Sequence, residues 1–320
     1  MQKIVKINIL SPFLLFFASA FSAVAVQACF QRPGFDIPTL ITPLNFHTED
    51  RVYAYHADLL QMVLKKTEEE YGPCKLIVIE TNKPLNRIHL YIDGGQLFDT
   101  VDSTVNPSRD QKLLPIRFPI YRGFMGYRVM IIREGDQARF NGINSLETMR
   151  SITIGAGMNW YDRKLVQQQN IPTVTGDDLG ALYRMLPVGR FDAILRGVHE
   201  VKIDELRVKA SGHSLEKNLV LAYPLPVNFY VRKSHHLLAE RLRSGLEKGL
   251  ADGSFQTFFY QHPLIKETLK RAKLEKRKFL YLCNPTLSPD SPLEKPKYWY
   301  KAWPDSVVQC SRHTTSDDAI

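Results

Sequence analysis

Beyond residue 37 the chain alternates short β-branched or apolar runs with longer stretches whose apolar residues recur every three to four positions. "PTLITPL" (38–44) predicts a strand. "RVYAYHADLLQMVLKKTEEEYG" (51–72) predicts a helix, with Tyr55, Leu59, Met62, Val63 and Lys66 at helical spacing and Gly72 as its stop. "KLIVIE" (75–80) reads as a buried strand, 84–95 as a short helix ended by Gly94 and Gly95, and "LFDTVDSTV" (97–105) as the next strand. A second set opens with the strand "YRVMIIR" (127–133). It continues with a helix capped by Ser145 (145–150), a strand running into a glycine turn (151–160), a helix over 177–190 and the strand 191–197. Extended chain over 218–233, broken by Pro224 and Pro226, precedes helices over 235–252 and 254–278. The proline-rich tail after 284 reads as an ordered strap without elements of its own. Strand–helix alternation predicts right-handed crossovers and mainly parallel sheets. A chain of this length predicts two lobes rather than one core.

The N-terminus adds a compartment. Lys3 and Lys6 precede the uncharged run "INILSPFLLFFASAFSAVAV", which ends in small residues before Cys29, the layout of a secretory signal over 1–28. An uncleaved anchor is the alternative, since about 20 apolar residues span a bilayer; Pro12 and the Ala/Ser-rich end favour cleavage. "VQAC" is also a distant relative of a lipoprotein box, which would lipidate Cys29. The mature chain is expected in the periplasm or secreted, and expected to be a monomer. The net charge of +9 becomes +7 without the two signal lysines. Spread over solvated helix faces, it calls for no nucleic acid. Cys29, Cys74, Cys283 and Cys310 lie too far apart for zinc or C-x-x-C redox chemistry. In an oxidising compartment they predict two disulfides. Of three possible connectivities, Cys29–Cys74 with Cys283–Cys310 is preferred, because each pair ties segments flanking one region.

Enzyme signatures are absent: no H-E-x-x-H, no G-x-S-x-G and no phosphate loop ending in Gly-Lys-Ser/Thr. Scattered histidines predict no metal site, and nothing calls for a cofactor. "GAGMNW" fails as a dinucleotide fingerprint because Trp160 stands where the third glycine belongs. Gly155 and Gly157 either let backbone approach a ligand near a helix start or merely serve a tight turn. Arg109 follows a strand end and the turn "NPS", where side chains of a parallel sheet converge on a cleft. A guanidinium there grips a carboxylate or phosphate bidentately, unless Asp110 or Asp102 pairs with it. Asp192 reads as a structural strand-end acid.

Together, "STVNPSRDQKLLPIRFPI", "SITIGAGMNW", "GRFDAILRG" and "AYPLPVNFYVRKSHHLLAERLRSGLEKGLADGSFQTFF" resemble the type II periplasmic solute-binding proteins of family 3, which serve amino-acid-type ABC uptake systems. The resemblance covers about residues 38–262. It implies an α/β fold of two lobes joined by two hinge crossings, near 123–128 and 224–228. Lobe 1 would hold 29–124 and 228–283, lobe 2 would hold 125–227, and 284–320 would be an extension. It implies that Arg109 receives a ligand carboxylate, helped by Thr104 and Asn106; Arg117 and Arg122 are expected to pair at the surface. In lobe 2 it points to Gly157, Asn159, Trp160 and Arg196, with Phe46 after the first strand as an aromatic wall.

The departures count against an ordinary α-amino acid. Gly157-Met158-Asn159 replaces a glycine followed by two small hydroxyl residues. Gly197 stands where the family carries an acid for the ligand's ammonium, and only Glu200, one turn on, could substitute. The expected function is therefore non-catalytic binding of a small anionic organic ligand for an ABC permease or a sensor. Two alternatives stand beside it. One is a dehydratase of the same fold, whose acid would come from Glu200, His199 or Asp102. The other is a sensory module that has lost its ligand.

Overall fold

The computed structural model describes residues 27–45, 54–158, 160–201 and 212–312. The signal region, Phe46 and Asn159 lie outside them. In chain order the elements are β1 (Thr39–Asn45), α1 (Tyr55–Lys66), α2 (Glu68–Tyr71), β2 (Lys75–Thr81), α3 (Leu85–Asp93), β3 (Thr100–Thr104), α4 (Pro107–Lys112), β4 (Leu113–Ile116), β5 (Tyr127–Arg133), α5 (Gln137–Phe140) and α6 (Leu146–Met149). There follow β6 (Ile154–Gly157), α7 (Tyr161–Gln168), β7 (Thr173–Gly176), α8 (Leu179–Met185), β8 (Ala193–Gly197), β9 (His213–Leu215), β10 (Leu219–Ala222) and β11 (Val227–Arg232). The chain ends with α9 (His236–Ala251), α10 (Ser254–Gln261), α11 (Pro263–Ala272), β12 (Lys278–Tyr281) and α12 (Asp305–Arg312).

The first lobe carries the parallel pair β1–β2 and the antiparallel group β3–β11–β4. The second is built on one sheet of order β12-β10-β5-β8-β6-β7, with β9 also on β5. The sheets are mixed for a simple reason. Every antiparallel pair involves β5 or β11, the two strands that leave the hinge, whereas the crossover units pair in parallel. β5 is buried along both faces. Val129 joins the first lobe's core, while Met130 and Ile132 turn into the second lobe's, as strand alternation requires. Each such side chain contributes roughly 1.5–3 kcal/mol when fully buried. The first core thus runs without a break from α1 and α9 (Leu59, Val63, Leu242, Leu246) through the hinge to Val220 and Ala222 of the second sheet and Val198 just after β8.

The two crossings lie against each other. Ile120 N donates to Val227 O at 2.9 Å and Tyr223 N to Gly126 O at 3.1 Å. At Gly126 a Cβ would fall 1.9 Å from Tyr223 O, so only glycine permits this approach.

Both preferred disulfides are present, Cys29–Cys74 and Cys283–Cys310, with Cα separations of 6.0 and 5.7 Å. Cys29 Sγ is thereby consumed and offers no thiol to a lipid. Among the described residues no helix is long and apolar enough to cross a membrane.

Two stretches differ from their sequence reading. The helix expected over 254–278 breaks at Pro263, whose ring suits the first turn of a new helix and not the middle of an old one. Only Lys278 of that span enters β12, which hydrogen-bonds to β10 in the larger sheet although the sequence boundaries grouped it with lobe 1. The tail, expected to lack elements, ends in the helix α12.

Candidate functional site

β3 delivers the chain to the turn 105–106, and α4 starts there. Pro107 supplies a pre-set φ and Asn106 Oδ1 accepts from Arg109 N at 3.1 Å, capping the helix. That cap fixes the direction of Arg109. Its guanidinium donates through Nη1 to Thr104 O and through Nε to His89 Nδ1 at 3.4 Å, and lies 5.6 Å from the centre of the Tyr230 ring. Burial pulls its pKa below the ordinary arginine value. The neighbouring carboxylates are engaged elsewhere. Asp110 accepts from Tyr230 Oη at 2.8 Å and pairs with Arg117 at 2.8 Å, while Asp102 accepts from Tyr121 Oη at 3.0 Å. Among the described residues no carboxylate lies within ion-pair distance of Arg109.

Beside this guanidinium is a recess of about 310 Å³. Asn86, His89, Leu90 and Asp93, on one face of α3, form one wall; Asn106, Ser108, Arg109 and Lys112 form the other. Its described lining comes wholly from lobe 1. His89 completes the arrangement: burial, helped by Arg109, lowers its pKa to about 4. The neutral ring accepts from Arg109 at Nδ1, which leaves Nε2 to donate to Ser103 Oγ at 2.8 Å. His89 is a residue sequence reasoning missed; its i, i+4 relation to Leu85 and Asp93 on an amphipathic helix was the available signal.

The expected residues of lobe 2 assemble differently. A Cβ at Gly157 would meet the Trp160 indole at 2.5 Å, and one at Gly155 would meet the Phe191 ring at 2.5 Å. These glycines make room for aromatic rings. Arg196 is buried, lies 5.5 Å from the Trp160 ring centre and pairs with Glu200 Oε1 at 3.1 Å. Glu200 reaches back so that its Oε2 accepts from Gly197 N at 2.5 Å, filling the space a side chain at 197 would take. The start of α7 already holds an anion. Asp162 pairs there with Arg128 at 2.6 Å, both buried. Burial alone would raise the Asp162 carboxyl; Arg128 more than offsets this and holds it below the usual carboxylate range.

Asp192 is structural, bonded to Arg133, Arg139 and Thr153 N. Arg117 makes its pair, but Arg122 does not sit at the surface. It is 7% exposed and donates Nη2 to Trp299 O, because the C-terminal chain covers it. The acids considered for catalysis do not converge: Asp102 is held in lobe 1 by Tyr121, whereas His199 and Glu200 sit together in lobe 2. Among the described residues no group of three His, Cys, Asp or Glu could hold a metal.

Burial lowers the pKa of His199, like that of His89, to about 4 from the ordinary 6.5. Imidazole NMR titrations should place both near pH 4. Unfolded chain takes up these protons first, so folding stability should fall as pH drops from about 6.5 toward about 4. Titration of either ring near 6.5 would contradict its placement.

No protein-family model matches the chain, and no curated protein does. Solved structures do. The BvgS VFT2 domain of Bordetella pertussis, a double mutant, aligns with a TM-score of 0.50 at 15% identity, over 70% of this chain and 93% of that one. The second substrate-binding domain of a putative amino acid ABC transporter from Streptococcus pneumoniae aligns at 0.48 and 14%, over 70% and 98%. An ancestral amino acid-binding protein described as a precursor of cyclohexadienyl dehydratase aligns at 0.45 and 15%, over 70% and 94%. At these identities the likeness speaks for the fold. The chain has the two-lobed α/β architecture of the periplasmic binding proteins, as the sequence resemblance implied.

Proposed function

We propose that this chain is an exported, non-catalytic solute-binding protein that takes a small organic molecule bearing a carboxylate or similar anion. One observation carries the reading: Arg109 is half-buried, held in place by Thr104 and His89, and among the described residues has no carboxylate within ion-pair distance. A partly desolvated cation with no direct ion pair gains from an incoming anion through charge-assisted hydrogen bonds. Leu90 beside it suits an apolar portion of the ligand. Asn159 and Phe46 remain proposed contacts, and an uptake permease or a sensor in the membrane is the proposed partner of a monomeric, periplasmic or secreted protein. No cofactor enters the reading.

The test is a thermal-shift screen of small carboxylates. A ligand at about 100 times its Kd adds about 2.7 kcal/mol, and it should be recovered unchanged. Arg109→Ala should abolish the shift while leaving the unliganded melt intact. Turnover of the ligand would favour the dehydratase reading instead. A second reading is favoured by the lobe-2 pairs Arg196–Glu200 and Arg128–Asp162, which leave that lobe little charge to offer a ligand. It is a sensory module that no small molecule stabilises.

A further inference from the structure

The chain from Cys283 to Arg312 is not a trailing tail. Its two ends are joined by Cys283–Cys310 and by Asn284 N donating to Ser311 Oγ at 2.9 Å. Between those ends it holds both crossings of the hinge. On the second, Asn284 Nδ2 donates to Pro224 O at 2.7 Å, and the same side chain accepts from Tyr161 Oη of α7 in lobe 2 at 2.7 Å. On the first, Tyr300 N donates to Arg122 O at 2.8 Å and Arg122 Nη2 donates to Trp299 O at 2.9 Å. Trp299 lies so close that a Cβ at Gly123 would come within 2.8 Å of its indole. Toward lobe 1, Tyr298 Oη bonds to Glu247 of α9 and its ring lies 4.8 Å from Phe118.

Arg122 shows how firmly this contact is specified. It adopts φ 52°, a left-handed conformation that costs a non-glycine residue roughly 1–2 kcal/mol. Its buried charge meets no carboxylate among the described residues, only strap carbonyls and the faces of Phe259 and Tyr260 at 5.4 and 5.8 Å. Strain and desolvation of this kind persist where surrounding structure over-determines them.

We propose that this segment is a brace that sets the angle between the lobes. Closed by its disulfide, it ties both crossings, α7 of one lobe and α9 of the other, so the lobes swing further apart only when it is released. The inference goes beyond the solute-binding reading and holds whatever the recess takes. It is tested without ligand, by pulsed electron resonance between spin labels at Val188 of lobe 2 and Glu240 of lobe 1, both exposed. The parent should give one narrow distance distribution. Cys283→Ser/Cys310→Ser should shift it by several Å to longer separation and broaden it, a hinge opening. Tyr161→Phe/Asn284→Ala, which cuts only the strap's hold on lobe 2 and the second crossing, should move it the same way. Circular dichroism reports whether each variant is folded. If the disulfide variant fails to fold, the second variant decides. A folded Tyr161→Phe/Asn284→Ala protein with the parent's distribution overturns the proposal.

Discussion

Arg128→Ala is expected to lose about 3–5 kcal/mol of folding stability, because it leaves Asp162 charged, buried and unpaired. Arg128 carries more than one bond here. Its Nε and Nη2 reach the Asp162 carboxylate at 2.6 and 3.4 Å, its Nη1 donates to Met125 O at 2.8 Å, and its plane lies 5.4 Å from the Tyr223 ring centre. The loss therefore joins the hinge to the start of α7. Urea denaturation at pH 7 measures it. The pH dependence supplies a second check. Asp162 has a folded pKa below its unfolded value near 3.8, so the pair's contribution is present above that value and lost as pH falls through the folded pKa. Parent and variant should therefore converge in strong acid. A variant as stable as the parent at pH 7 would mean that the pair is solvated.

Gly126→Ala is the other large effect, expected at about 3 kcal/mol through overpacking. The added methyl would meet the backbone carbonyl of Tyr223 at 1.9 Å, and backbone cannot swing aside as a long side chain can. Gly135 is the useful comparison: its φ is +91° but open space surrounds it, so Ala there should cost roughly 1–2 kcal/mol, from conformation alone. Thermal melts of the two variants separate steric from conformational cost. Equal losses would show that the crossings part easily.

The strand–helix alternation made the fold legible because burial on a sheet or helix writes its period directly into neighbouring residues. β5 fell where "YRVMIIR" put it, and the helix read over 51–72 is found as α1 and α2, parted at Thr67. β12 was hidden because "KFLY" follows a basic amphipathic helix at compatible spacing; its identity comes from β10, far back in the chain. The site divided along the same line. Arg109 was visible from its turn, since a proline-led, asparagine-capped start is a local signal. Which acids would leave it unpaired was not visible. Asp110 goes to Tyr230 and Arg117, and Asp102 to Tyr121, contacts that no spacing along the chain encodes. Arg122 was misread for the same reason: its acceptors, Lys297 and Trp299, lie 175 and 177 positions later. Glu200 was nearer to being legible, because an acid three residues after Gly197 and four after Arg196 can reach both.

The position of β12 alters what may be removed from this protein. Its parallel register from Leu219↔Lys278 to Ala222↔Tyr281 covers the backbone of β10 on that side. A chain shortened to end before Lys278 would lose more than a proline-rich appendage: it would uncover a row of amide and carbonyl groups on a fully apolar strand. Such a surface recruits other strands, so the shortened protein would carry a built-in route to self-association.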